Sequence, residues 1–86
     1  MGKYSIRIKP TAVKEIEAIP SKADRQKIIE RIQALADDPR PPGCKKLTGR
    51  EQYRVRQGWY RIVYAVNDQE ITVFVVKVGH RKDVYK

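Results

Sequence analysis

The chain is short and strongly charged. Its 86 residues have a mass of 10.0 kDa, and 41% of them are hydrophobic and 34% charged. This composition excludes a disordered or collagen-like chain, and no apolar run approaches the roughly 18 residues of a membrane-spanning helix. The single cysteine, Cys44, excludes an internal disulfide and a thiolate zinc cluster. Because the N-terminus also lacks the apolar core of a signal peptide, we expect one cytoplasmic domain over residues 1–86, with no membrane contact.

Positive charge is the strongest bulk property of the sequence. Nineteen lysines and arginines against ten acidic residues give a net charge of +9. Residues 1–43 carry nine basic and six acidic side chains, and residues 44–86 carry ten and four, so most of the excess lies in the second half. A field of this size favours a polyanionic partner such as nucleic acid, or an acidic protein. A basic protein that is merely soluble is the alternative.

The first half of the chain predicts one strand and two helices. Residues 3–8 alternate between apolar and polar side chains, which is typical of a half-buried strand. Pro10 suits the first turn of a helix, where its missing N–H needs no partner, and Pro20 ends this helix. Ser21 and Asp24 form a capping pair that opens a second helix. The apolar positions expected to face the core are Ala12, Val13, Ile16 and Ile19, then Ile28, Ile29, Ile32, Leu35 and Ala36.

The second half predicts three strands after a proline-rich loop at residues 37–43. The strands cover Gln52–Gln57, Trp59–Val66 and Glu70–Val78, and their short connections require an antiparallel meander. The last run is apolar on nearly both faces and is expected to be central, with Gly79 ending the sheet. The predicted fold is therefore α+β, with two N-terminal helices packed on a four-stranded, mainly antiparallel sheet in the order β-α-α-β-β-β.

Several arginines are predicted to gather on one face of this sheet. Period-two alternation places Arg54 and Arg56 on the same side of their strand, and Arg61 on the next strand can share that side. If the helices cover the other face, these side chains point away from the core, and Arg81 can fold back towards them. Guanidinium groups suit phosphate because each offers a planar fork of donors. A solvated face whose arginines only keep the surface soluble is the alternative.

Four stretches of the sequence form an ordered set, namely Lys46–Gly49, Tyr53–Tyr64, Val75–Arg81 and Val84–Tyr85. With the element order and the Asp-Pro loop of the first half, this set resembles the RelE/ParE superfamily of bacterial toxins, most closely its RelE branch. The resemblance implies the same α+β fold and a ribosome-dependent mRNA endonuclease that is inhibited by an antitoxin encoded beside it. ParE-branch members share the scaffold but inhibit DNA gyrase.

The resemblance also implies an active site made of basic residues and a C-terminal tyrosine, without metal or cofactor. Arg56 and Arg61 would hold the scissile phosphate and stabilise its charge in the transition state. Arg81 would lie at the leaving oxygen, and Tyr85 would act as base or orient the 2′-hydroxyl. Well-known RelE members have lysines at the positions of Arg54 and Arg56. Because arginine effectively never loses its proton, the role of base passes here to Tyr85.

The remaining basic side chains are expected to contact the RNA backbone or ribosomal RNA. They are Arg54, Lys45, Lys46, Arg50 and His80. A solvated connecting segment explains the lysines and Arg50 equally well, and His80 is either a phosphate contact or a bystander. Trp59 and Tyr60 are expected to pack in the core or at the sheet edge, with stacking on RNA bases as the alternative.

The resemblance further implies a cognate acidic antitoxin of RelB type, whose binding segment folds over the basic face. The toxin–antitoxin complex would bind operator DNA through the antitoxin, whereas the free toxin would act on the ribosome and mRNA. Two other functions stay open. One is a ParE-like gyrase inhibitor without nuclease activity, and the other is a non-enzymatic RNA-binding module on the same basic face.

Overall fold

Two helices precede most of the sheet in the computed structural model, which describes residues 3–47, 49 and 51–80. Helix α1 covers Pro10–Glu17 and helix α2 covers Lys22–Ala34. As predicted, Pro10 lies in the first turn of α1, and the Ser21 hydroxyl caps α2 by accepting a hydrogen bond from the Asp24 amide at 3.2 Å. Neither helix in the described part of the chain is long and apolar enough to cross a membrane.

Five strands form one sheet in the order β1-β5-β4-β3-β2. They are β1 Ser5–Ile8, β2 Lys45–Lys46, β3 Gln52–Gln57, β4 Tyr60–Asn67 and β5 Thr72–His80. Strand β1 runs parallel to β5 and the other neighbours are antiparallel, which confirms the α+β architecture and the meander of β3, β4 and β5. Strand β5 lies between β1 and β4, as its two apolar faces predict.

The sheet has one strand more than the four predicted. Lys45 and Lys46, which follow the proline loop, pair antiparallel with Arg54 and Tyr53 and form the short edge strand β2. Two residues are too few to show the alternation from which a strand is predicted. This pairing brings a lysine beside an arginine of β3.

Strand β5 also continues further than predicted. Gly79 does not end the sheet, because it lies opposite Arg61, and His80 lies opposite Tyr60. The strand continues because β4 begins at Tyr60 and offers backbone partners up to that residue. The residue beside Arg61 on β5 therefore has no side chain.

The helices cover one face of the sheet and form the core there. Its members are Ala12, Ile16, Ile19, Ile28, Ile32 and Leu35 from the helical half, and Val55, Ile62, Tyr64, Val73, Val75 and Val78 from the sheet. Val13 and Ile29, which are predicted to face the core, are each 38% exposed. Each lies one residue beyond the buried row, about 100° around its helix, and so turns towards solvent. One row per helix is sufficient to cover this sheet face.

The proline loop is tied to the end of β4 that leads into the β4–β5 turn. The Tyr64 hydroxyl donates to the Pro39 carbonyl at 2.6 Å. Arg40 makes a two-point ion pair with Asp68, at 2.9 and 3.2 Å, and the Tyr4 hydroxyl donates to the same carboxylate at 2.7 Å. The hydrogen bonds from Arg40 and Tyr4 lower the pKa of Asp68, and burial raises the pKa of Tyr64. The proline loop is thereby held near the Asn67 end of β4, and not at the end that begins with Tyr60.

Glu15 joins α1 to the edge of β5 beyond β1. Its Oε1 accepts a hydrogen bond from the Val78 amide at 3.0 Å, and its Oε2 lies 2.9 Å from the Lys77 ammonium. Since β1 pairs with β5 only as far as Val75, a carboxylate takes the place of a strand at this edge.

Candidate functional site

Three arginines lie close together on the sheet face opposite the helices. Arg56 on β3 is directly opposite Arg61 on β4, and Arg54 lies two residues before Arg56. Directly opposed residues have Cα atoms about 4.5–5.5 Å apart, and alternate residues on one strand lie roughly 7 Å apart. The expectation that these residues share a face is confirmed, and we call it the arginine face.

A lysine extends this cluster. Lys45 on β2 lies opposite Arg54, so its side chain projects from the arginine face. Like charges directly opposite each other destabilise a sheet, and this face holds two such pairs, Lys45 with Arg54 and Arg56 with Arg61. None of the five strands, as described, contains Asp or Glu. Over the described ranges, no group of three His, Cys, Asp or Glu side chains is placed to hold a metal ion.

Arg61 departs from the expected open position because it is only 1% exposed, whereas Arg56 is exposed and Arg54 half-buried. Strand β4 has neighbours on both sides, with Arg56 beside Arg61 on β3 and Gly79 beside it on β5. A cation in such a position interacts with an anion more strongly than a fully hydrated one, since the local dielectric is lower. Surface solubility does not explain an arginine that water barely reaches.

Two of the other predicted RNA contacts, Lys46 and His80, do not lie on the arginine face. Lys46 lies opposite Tyr53 on the helix side of the sheet, and its ammonium is 3.5 Å from the carboxylate of Glu51. His80 also lies on the helix side, where its ring meets the ring of Tyr60 edge to face at 5.6 Å. The predicted site residues outside the described part of the chain are Arg50, Arg81 and Tyr85.

Trp59 was expected to pack against the sheet, and it does not. It is 66% exposed in the turn between β3 and β4, whereas Tyr60 is half-buried and packs against the core. The prediction is wrong for Trp59 because β4 begins one residue later than expected, at Tyr60. An indole therefore stands in solvent at the end of the sheet that carries Arg56 and Arg61.

Sequence reasoning missed Arg7 as a member of the same sheet face. It lies opposite Phe74, which lies opposite Ala65, and this register places it with the residues of the arginine face. Arg7 is exposed on β1, three strands and four residues away from Arg56, a separation of roughly 20 Å. The alternation of residues 3–8 is the signal that could have found it.

Comparison with known proteins assigns the chain to a family. Residues 6–85 match the family model described as the ParE toxin of type II toxin–antitoxin systems. A putative RelE-like toxin protein of Escherichia coli is 30% identical over an alignment that covers 96% of this chain and 90% of that protein. The chain belongs to the RelE/ParE superfamily of toxins. The family match includes the whole arginine face and continues to Tyr85.

Solved structures of superfamily toxins have the same fold as this member. The toxin–antitoxin complex RelBE2 of Mycobacterium tuberculosis gives a TM-score of 0.79 at 26% identity, covering 92% of this chain and 99% of that chain. The archaeal RelE–RelB complex of Pyrococcus horikoshii OT3 gives 0.78 at 28% identity, covering 92% and 96%. The matching family model belongs to the ParE branch, whereas these relatives carry RelE names.

Proposed function

We propose that this toxin is a ribosome-dependent mRNA endonuclease, which cuts the message in the ribosomal A site and so inhibits translation. The observation that carries the proposal is the arginine face, where Arg54, Arg56 and Arg61 stand on adjacent strands that contain no acidic residue. Phosphodiesters are the anions that such planar donor forks bind in two-point fashion. The proposed ligand of this face is therefore the RNA backbone.

The proposed reaction is attack of a ribose 2′-oxygen on its own adjacent phosphate. The new O–P bond closes a 2′,3′-cyclic phosphate, the bond from phosphorus to the 5′-oxygen of the next nucleotide breaks, and that oxygen takes up a proton. The step needs a base for the hydroxyl, cations for the charge that builds on phosphorus, and a donor for the leaving oxygen. We assign the cationic role to Arg56 and Arg61. The burial of Arg61 favours this role, because a weakly hydrated cation stabilises transition-state charge more strongly.

The base and the leaving-group donor are assigned to Tyr85 and Arg81, which follow the described part of the chain. The described chain ends at His80, one residue after Gly79, and Gly79 lies directly opposite Arg61. The end of the described chain is therefore close to Arg61, and the assignment of Arg81 and Tyr85 rests on their place in the sequence directly after it. Arg81 is assigned to the 5′-oxygen, and Tyr85 is assigned the base because arginine effectively never loses its proton.

The remaining predicted contacts are assigned to RNA outside the scissile phosphate. Lys45 and Arg54 share the arginine face and would bind the backbone of the message. Ribosomal RNA is the proposed partner of the other three predicted contacts, Lys46, Arg50 and His80.

The proposed inhibitor is an acidic antitoxin of the RelB kind. The two related toxins described above were solved as complexes with their antitoxins. A segment rich in Asp and Glu would complement the charge of the arginine face and compete there with RNA. In that complex the antitoxin would contact operator DNA, whereas the free toxin would meet ribosomes and mRNA in the cytoplasm.

The test separates the nuclease from the gyrase inhibitor, which the ParE family model favours as a second candidate. Purified toxin is added to 70S ribosomes stalled on a defined mRNA with an empty A site, and in parallel to a DNA gyrase supercoiling reaction. We expect cuts within the A-site codon that disappear with Arg81→Ala and with Tyr85→Phe. Blocked supercoiling with intact mRNA would contradict the nuclease. RNA binding with neither activity would leave a non-enzymatic RNA-binding module.

A further inference from the structure

Trp59 is the most exposed of the large apolar side chains in the described part of the chain. It is 66% exposed, and the next, Ile71, is 43% exposed. Trp59 is the second residue of a two-residue turn, since Gln57 and Tyr60 are the last paired residues of β3 and β4. Tryptophan is usually highly buried, so its position at the tip of a hairpin requires a reason other than packing.

The geometry of the turn does not require a tryptophan either. Gly58 has a φ of +61°, whereas Trp59 is not among the residues with positive φ, which is the pattern of a type II′ turn with glycine first. The second position of such turns commonly holds Asn, Asp or Ser. A Cβ placed at Gly58 would meet nothing within 4 Å, so the tip is surrounded by open space. Neither the backbone nor the core accounts for the indole.

The turn lies at the end of the sheet that carries the paired arginines. Arg56 and Arg61 form the second cross-strand pair from the turn, and Trp59 precedes Arg61 by two residues. Because a residue spans at most about 3.6 Å of chain, the Cα atoms of Trp59 and Arg61 lie within roughly 7 Å. The base of the turn is braced where the Tyr60 ring packs against His80. An exposed aromatic ring is thus held beside a cationic cluster.

We propose that Trp59 stacks on an unpaired RNA base next to the phosphate that the arginine face binds. This inference rests on the proposed function and adds a positioning residue to it. Cationic side chains fix an RNA backbone without reading its bases, whereas aromatic rings hold bases by stacking with little regard to sequence. Single-stranded RNA is commonly bound by this combination of charge and ring. Trp59 would touch a base and none of the reacting atoms, so its contribution is measured as affinity for RNA.

The fluorescence of the chain reports this contact directly, because Trp59 is its only tryptophan. The purified toxin is titrated with a single-stranded RNA of about ten nucleotides, a length within the site sizes of single-strand binding folds. We expect quenching that saturates together with the fluorescence anisotropy of labelled RNA. Trp59→Ala should weaken binding roughly 5- to 150-fold, the range for one stacked base, and Trp59→Phe should recover part of the loss. Ile29→Ala, at an exposed apolar position on α2, should bind like the wild type.

Salt dependence distinguishes stacking from charge. Arg56→Gln should lower the slope of log affinity against log salt by about 0.7, the value for one contact to single-stranded nucleic acid. Trp59→Ala should lower the affinity and leave this slope unchanged. A reduced slope in Trp59→Ala would contradict stacking, because it would mean that the substitution displaces a phosphate contact.

The source of the base is found with ribosomes. If Trp59→Ala weakens pelleting with vacant 70S ribosomes, the base belongs to ribosomal RNA. If the loss appears only with the free oligonucleotide or with programmed ribosomes, the base belongs to the message.

Three further outcomes would overturn the proposal. If the wild type cuts mRNA on ribosomes and Trp59→Ala binds RNA and ribosomes within about twofold of it, without quenching in the wild type, only the role of Trp59 fails. If Trp59→Ala loses affinity for the antitoxin but not for RNA, the proposal is overturned, because Trp59 then belongs to a protein interface. If the wild type neither binds RNA nor cuts mRNA, the proposed function fails, and the stacking fails with it.

Discussion

Tyr64→Phe removes a single oxygen atom from the protein, and its cost follows from the contacts of that atom. The Tyr64 ring is fully buried and stacks on Tyr53 with ring centres 5.8 Å apart, and phenylalanine keeps both features. The hydroxyl donates to the carbonyl of Pro39, which is itself buried. A buried carbonyl that loses its donor costs about 1–3 kcal/mol. We therefore expect the free energy of unfolding to fall by about 1–3 kcal/mol.

Urea denaturation followed by far-ultraviolet circular dichroism measures this loss. With a denaturant slope of about 1 kcal/mol/M, usual for a small protein, the midpoint should fall by about 1–3 M at an unchanged slope. Tyr53→Phe is the matched control, because the Tyr53 hydroxyl accepts a hydrogen bond from Arg40 at 3.1 Å in an exposed position. Its loss should stay below about 0.5 kcal/mol. Equal losses in the two variants would refute the view that the Tyr64 hydroxyl anchors the proline loop.

Three further changes test the fold elsewhere. Ile71 has a φ of +52°, which is costly for a β-branched residue, so Ile71→Gly should raise the Tm by about 2–8 °C; an unchanged or lower Tm would argue against strain there. Glu15→Ala should speed deuterium exchange of the Val78 amide, whereas Glu15→Gln keeps an acceptor and most of the protection; equally fast exchange in both would contradict the role of this acceptor. The lowered pKa of Asp68 stabilises the folded protein above the ordinary value of 3.8, and this contribution disappears as the pH falls through the lower folded pKa. The Tm advantage of the wild type over Asp68→Asn should therefore shrink between about pH 6 and pH 2, and a constant difference would speak against it.

Local patterns were sufficient to predict both helices, four of the five strands and the shared face of the arginines. Residues paired across an antiparallel ladder always project from the same face, so alternation and a meander were enough to place Arg54, Arg56 and Arg61 together. The start of α2 was equally predictable, because the cap joins Ser21 to Asp24, three residues apart. These features depend on neighbours in sequence or on one strand pairing.

The features that could not be predicted depend on tertiary neighbours. Arg61 is buried although it projects from the sheet face opposite the helices, and the alternation of one strand does not show how far water reaches a side chain. His80 lies on the helix side because β5 continues through Gly79 without a change of phase, where glycine suggested an end. Trp59 is exposed because it lies in the turn, whereas the predicted strand began at Trp59. An error of one residue in the start of a strand is enough to change the expected environment of a side chain.

The central claim is that cleavage depends on the group formed by Arg54, Arg56 and Arg61, and does not follow from the positive charge of the protein alone. Arg56→Gln and Arg7→Gln each remove one exposed strand arginine from the same sheet face, at positions roughly 20 Å apart. Both variants are compared with the wild type in cutting a defined mRNA on 70S ribosomes with an empty A site. We predict that Arg56→Gln slows cleavage about 100-fold or more, the usual cost of one transition-state donor, while Arg7→Gln cuts like the wild type. Equal rates in the two variants would contradict the assignment of the active site to this cluster.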